Sequence, residues 1–278
     1  MKIGVFDSGF GGLTVLRALL EHAPQADYLY LGDTARLPYG AKSRETVARY
    51  AVSSAKFLVE QGAEFLVIAC NTASALALDA IRAAVSVPVL GVIETGVGNA
   101  SAVSKTRDVM VIATAATVES HAYAAASSQQ GLRAIEKACP LLVPLVEEGW
   151  IEHPVTAEVL RIYLAELEVQ ARDCGLHPDT LVLGCTHYPL LRAQIEAAVR
   201  EWPRSVKVID SAEATAERVA RHVAKTLKPE GKTRSGKARF FATDSVKKFR
   251  ALGGRFLGRE IDDVELVDLE KQPVTGGR

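Results

Sequence analysis

The chain has 278 residues, of which 48% are apolar, with 33 basic and 33 acidic side chains. That length admits one large α/β domain or two smaller ones, and the balanced charge leaves no electrostatic case for nucleic acid or an anionic membrane surface. No run approaches the roughly 18 apolar residues of a spanning helix, and the opening MKIGVFDSG is too soon broken for a signal peptide, so a soluble cytoplasmic protein is expected.

Residues 2–6 form an apolar strand that ends in Asp7-Ser8-Gly9-Phe10-Gly11-Gly12, and the glycines permit a tight turn into a helix at 13–22. Thr14 stands where a dinucleotide fingerprint needs its last glycine, and no GK[ST] follows, so neither NAD, FAD nor a Walker A phosphate loop is expected. Asp7 at the strand end suits a substrate ammonium or proton handling, or it caps the next helix. A second strand at 28–31 opens into the loop Gly32 to Gly40, where the Tyr39 hydroxyl and the Gly40 amide could meet a small anion. An amphipathic helix follows over 43–61, then an apolar strand at 65–68 that breaks into Ala69-Cys70-Asn71-Thr72. With a helix over 75–85, Cys70 sits near a helix N-terminus, where partial positive charge lowers a thiol pKa. A strand at 87–92 leads to a crossing between domains at 96–104, and a fresh strand at 108–112 ends in Ala113-Thr114-Ala115-Ala116-Thr117. Thr114 and Thr117 suit a carboxylate or cap the following helix.

Helix and strand alternate again through 141–145, and Glu147 reads by its spacing as a solvated charge. A long helix covers 156–174, and the strand at 180–184 runs into Cys185-Thr186-His187. A helix at 190–201, a strand at 206–209 and a helix at 212–226 follow, the last returning the chain to its first half. Residues 229–236 read as a basic loop, 239–242 and 264–266 as strands flanking a helix at 245–252, and 271–278 as a frayed tail. The strand–turn–helix pattern thus occurs twice, each time with a cysteine at a strand end. This predicts two facing, doubly wound α/β domains with mostly parallel sheets and a cleft between them, one of 1–97 plus 210–268 and one of 98–209, with 269–278 as tail.

Cys139 and Cys174 lack that strand-end context and read as structural. Two facing thiols admit several chemistries. With His187 they could ligate zinc, but no ligands cluster locally. A cysteine hydrolase would use one thiol and leave the other unexplained. The economical account is proton exchange at one carbon from both faces, since a thiol pKa near neutral lets each group act as base in one direction and acid in the other. A binding module that uses the same crevice without chemistry is the alternative of a different class.

DSGFGG at Asp7, GDTARLPYG at Gly32, ACNTAS at Ala69, ATAAT at Ala113 and GCTHYPLL at Gly184 together resemble the glutamate racemases of the aspartate/glutamate racemase group, across residues 1 to about 268. Aspartate racemases share the two-cysteine plan but look less like this chain in the DSGFGG and PYG stretches. The resemblance implies a cofactor-independent isomerase without a metal that interconverts L- and D-glutamate for peptidoglycan, as a homodimer. It implies Cys70 as the base towards D-glutamate and Cys185 as the base towards L-glutamate. Asp7 would assist Cys70, and His187 with Glu147 would assist Cys185. Asp7, Ser8, Asn71, Thr72 and Thr186 would hold the amino-acid head, and Tyr39, Gly40, Thr114 and Thr117 the carboxylates.

Overall fold

The computed structural model describes residues 1–226 and 236–269. The tail at 271–278 and all of the basic loop at 229–236 except Gly236 lie outside them. Ten strands follow one another among the described residues: β1 Lys2–Asp7, β2 Asp27–Gly32, β3 Phe65–Ile68, β4 Val89–Gly91, β5 Asp108–Ala113, β6 Arg133–Ala138, β7 Thr180–Gly184, β8 Lys207–Asp210, β9 Ala238–Ala242 and β10 Glu265–Leu266. They make a six-stranded sheet in the order β10-β9-β2-β1-β3-β4 and a four-stranded sheet in the order β6-β5-β7-β8. Every strand pairing in both sheets is parallel. Parallel strands are covered by helices on both faces, which is why β3 is apolar throughout, β7 is apolar but for Thr180, and both are buried at every position.

The two sheets share one winding. In each, the first strand lies between the second and the third: β2-β1-β3-β4 in one and β6-β5-β7-β8 in the other. The strand order therefore reverses between β1 and β3, and again between β5 and β7. Loops at such a reversal diverge and leave a crevice beyond the strand ends. Cys70 follows β3 and Cys185 follows β7, so each cysteine stands at the reversal point of its own sheet.

Several elements differ from the sequence reading. The helix expected over 75–85 is two helices, Asn71–Leu76 and Leu78–Ala84, and the first begins directly after Cys70. The strand expected over 87–92 is only Val89–Gly91, because the helix Val92–Val103 already starts behind Gly91. That helix carries the chain from one sheet to the other, where the crossing was expected. Residues 142–147 are helical, and the strand before them is β6, whose polar RAIEKA sequence is half-buried at an edge and offers no apolar run to find. The C-terminal helix runs further than expected, over Val246–Leu257.

Among the described residues, the largest of three apolar clusters threads both sheets. Val5 and Val67 belong to it on one side, Met110, Leu181 and Leu183 on the other. The helix Ala212–Thr226 packs between the helices Leu13–His22 and Val92–Val103. Its Val219 and Val223 are completely buried, each worth about 1.5–3 kcal/mol by the area they remove from water. Among the described residues no helix is long and apolar enough to cross a membrane.

Candidate active site

A cavity of about 310 Å³ opens between the two sets of strand ends, and both Cys70 and Cys185 line it. Ser8, Gly40, Asn71 and Thr72 join it from the six-stranded side, and Thr114, Glu147, Thr186 and His187 from the other. Asp7 and Thr117 stand behind this wall, fully buried. Leu37, Pro140, Val143 and Pro144 make an apolar side to the mouth, of which the sequence reading saw nothing.

Cys70 is the N-cap of the helix Asn71–Leu76: its sulfur accepts the Ala73 amide at 3.4 Å and donates to Ser8 Oγ at 3.4 Å. The helix terminus was expected to lower this thiol's pKa. Burial wins instead and, with the Asp7 charge nearby, pushes it up to about 12, against which the Ser8 and Ala73 hydrogen bonds are too weak. Asp7 itself is raised above the ordinary carboxylate range by burial. The His187 charge, the Gly12 and Gly9 amides and the Thr186 hydroxyl oppose that rise. The Gly9 amide donates to Asp7 Oδ2 at 2.9 Å, so the DSG turn closes on its own aspartate.

Behind Cys185 a row of groups is aligned. His187 Nδ1 lies 3.8 Å from the Cys185 sulfur, and His187 Nε2 lies 3.2 Å from Glu147 Oε1. Burial disfavours the imidazolium, but the hydrogen bonds to Cys185 and Glu147 outweigh it and raise His187 to about 10. Glu147 is therefore not the solvated charge its spacing suggested: its side chain is 16% exposed and paired with His187. A lone glutamate on a short helix carries no sign of what the fold will bring to it.

The hydroxyls of Thr72, Thr114 and Thr117 form a triangle with sides of 3.0, 3.2 and 2.9 Å, joining the two sheets across the cavity floor. Tyr39 lines the cavity, but its hydroxyl donates to the buried Asp33 at 2.5 Å. Asn71 Oδ1 accepts from the Tyr123 hydroxyl at 2.6 Å. Tyr123 lies outside every motif, and only its position in the fold reveals it. Thr14, which told against a dinucleotide site, donates to the Gly11 and Thr186 carbonyls and ties the turn after β1 to the turn after β7. At Gly11 a Cβ would collide with Thr186 Oγ1 and reach 2.6 Å from His187 Nδ1. The glycine is there because the other sheet's site residues fill the space. Cys139 is buried in the core, whereas Cys174 is exposed.

The family described as Asp/Glu/Hydantoin racemase matches residues 3–219. The chain belongs to that family. Like other racemases it is an isomerase. It is 53% identical to a glutamate racemase of Koribacter versatilis, over 96% of this chain and 97% of the relative. A glutamate racemase structure from Francisella tularensis, in complex with D-glutamate, matches with a TM-score of 0.86 and 35% identity over 98% of both chains. One from Thermus thermophilus, in complex with beta-chloro-D-alanine, matches at 0.83 and 44%, again over 98% of both. An aspartate racemase homologue from Pyrococcus horikoshii shares the fold at a TM-score of 0.55 and 19% identity.

Proposed function

We propose that this chain interconverts L- and D-glutamate by two-base proton transfer at Cα, without a cofactor. The observation that carries the reading is that two thiols, one from each sheet's reversal point, open into one cavity of about 310 Å³. The relatives' name and the D-glutamate of the Francisella tularensis complex supply the substrate.

Towards L-glutamate, the Cys185 thiolate takes the Cα proton. The electrons of the broken C–H bond pass into the α-carboxylate as an enediolate-like carbanion, and the Cys70 thiol returns a proton to the opposite face. D-glutamate reacts in reverse, from Cys70 to Cys185. Each turnover leaves the proton on the other sulfur, so the thiols re-equilibrate before the next. A protonated His187, 3.8 Å from the Cys185 sulfur, supplies counter-charge there. Cys70 is a neutral thiol in the free site, held up near 12. A substrate ammonium beside it and Asp7 adds the positive charge that burial withholds. Ser8, Asn71, Thr72 and Thr186 surround the amino-acid head. The Gly40 amide and Thr114 take a carboxylate, with Tyr39 and Thr117 supporting them from behind.

The test is to incubate each enantiomer with enzyme in deuterated water. Wild type should give product carrying solvent deuterium at Cα. Cys70→Ala and Cys185→Ala should each lose racemisation by about 10²- to 10⁴-fold, the usual worth of a positioned acid or base. If either variant racemises like wild type, the two-base reading fails. The proposal extends to two units, 1–97 with 210–268 and 98–209, and to a cytoplasmic homodimer that supplies D-glutamate for peptidoglycan.

A further inference from the structure

We propose that Lys248 is a positioning residue for the Cys185 side of the site, a clamp from the opposite unit that holds Glu147 on His187; this rests on the two-base reading above. Lys248 lies on the helix Val246–Leu257, which packs against Leu13–His22 beside the six-stranded sheet. Its Nζ is 3.7 Å from Glu147 Oε2, while the other oxygen of the same carboxylate, Oε1, is 3.2 Å from His187 Nε2. The two oxygens are thus divided between a cation of one unit and the imidazole of the other. A carboxylate with only one anchor rotates about its terminal torsion, and this one has two. Phe256 of the same helix packs against His187 in a T-shaped arrangement, with ring centroids 5.1 Å apart. Glu147 holds its proton less tightly than an ordinary glutamate: burial raises it, but His187 and Lys248 together overcome that.

The charged groups around this row are few. Cys185, Asp7 and Glu147 face His187, Lys248 faces Glu147, Glu148 lines the cavity beside it, and Arg255 reaches Gly149 from the same C-terminal helix. Lys248 is half-exposed, and its Nζ also lies 5.7 Å from the centroid of the Phe10 ring, a contact that Lys248→Arg keeps as a cation over the ring and Lys248→Met does not. What it contributes is charge at the far end of a row of hydrogen bonds, and it contributes only while the two units are closed on one another.

The experiment compares wild type with Lys248→Met and Lys248→Arg in steady-state racemisation. Lys248→Met should lower kcat by about two- to five-fold, the range expected of a partly exposed ion pair, with KM nearly unchanged. The acid limb of its pH profile should move to higher pH, because Glu147 loses a stabilising cation. In about 1 M salt, where screening acts over about 3 Å, wild type should fall towards the variant. Lys248→Arg should restore the wild-type profile. The deuterium isotope effect on kcat/KM should rise for Cα-deuterated L-glutamate and shrink for D-glutamate, since the Cys185 step is the one slowed. A uniform loss at every pH and salt, or an isotope effect that grows for D-glutamate instead, overturns the clamp. Lys248→Gln serves in its place where Lys248→Met does not fold. Retention of racemisation by Cys185→Ala would sink the underlying reading. An unchanged Lys248→Met profile alongside an inactive Cys185→Ala sinks only this inference.

Discussion

At the scale of single residues, the site concentrates groups that a folding chain would avoid burying. Asp7 is fully buried and its carboxyl is raised, chiefly by desolvation. The sign of its effect on stability follows. A group whose pKa is raised on folding favours the fold below its unfolded value, near 3.8, and that contribution is lost as the pH climbs through the folded value. At neutral pH the charge of Asp7 therefore weighs against folding. Asp7→Asn is expected to raise the melting temperature at pH 7, to lose that gain below about pH 3.8 where both side chains are neutral, and to lose racemisation. Melting curves across pH, read beside activity, check this. An Asn variant that melts lower than wild type at neutral pH would contradict it. His187 has the same sign for a different reason: with its pKa raised to about 10, it stabilises the fold at neutral pH and stops doing so above that value.

At the scale of elements, the turn between β1 and the helix Leu13–His22 decides the spacing of the site. Its glycine-rich sequence reads as an ordinary βα turn. The structure gives Gly11 a more specific reason, since Thr186 and His187 of the other sheet occupy the place where its Cβ would go. Gly11→Ala is expected to displace the Cys185 side and cost roughly 10- to 100-fold in kcat, because displacements of about 1 Å at reacting groups cost that much. Its melting temperature should fall as well, because the added methyl overpacks two buried side chains at a typical cost of about 1–3 kcal/mol. Steady-state kinetics beside a thermal melt separate the two, and wild-type kcat in Gly11→Ala would show that the turn has slack. The apolar strands β1, β3, β5 and β7 were legible as apolar runs. The edge strand β4 was read as well, within a longer stretch at 87–92. The edge strand β6 was not, because a strand with one open side has no need of a continuous apolar sequence.

At the scale of the whole molecule, the two sheets are not independent. One apolar core runs through both, and the helix Ala212–Thr226 is packed on elements of each. The Thr72–Thr114–Thr117 triangle, the Tyr123–Asn71 bond and the Thr14–Thr186 bond also cross between them. Such a molecule should unfold in a single calorimetric transition, with calorimetric and van't Hoff enthalpies equal. Two separate transitions would mean that the shared core does not couple the halves.

The amino-acid sequence alone determined the two strand-end cysteines, the small-residue turns beside them and the repeated parallel winding, because these depend on local period and on residue type. Its local pattern could not determine what stands behind each thiol, and only the family resemblance pointed to Asp7, His187 and Glu147 there. Glu147 comes within reach of His187, Lys248 of Glu147 and Tyr123 of Asn71 only once two sheets close on a common core, and no local pattern encodes a contact between segments 40 to 101 residues apart. The direction of the Cys70 shift was likewise decided by tertiary structure. A helix terminus acts through a few bonds at one end, whereas desolvation sums over everything that excludes water, and here the sum is the larger.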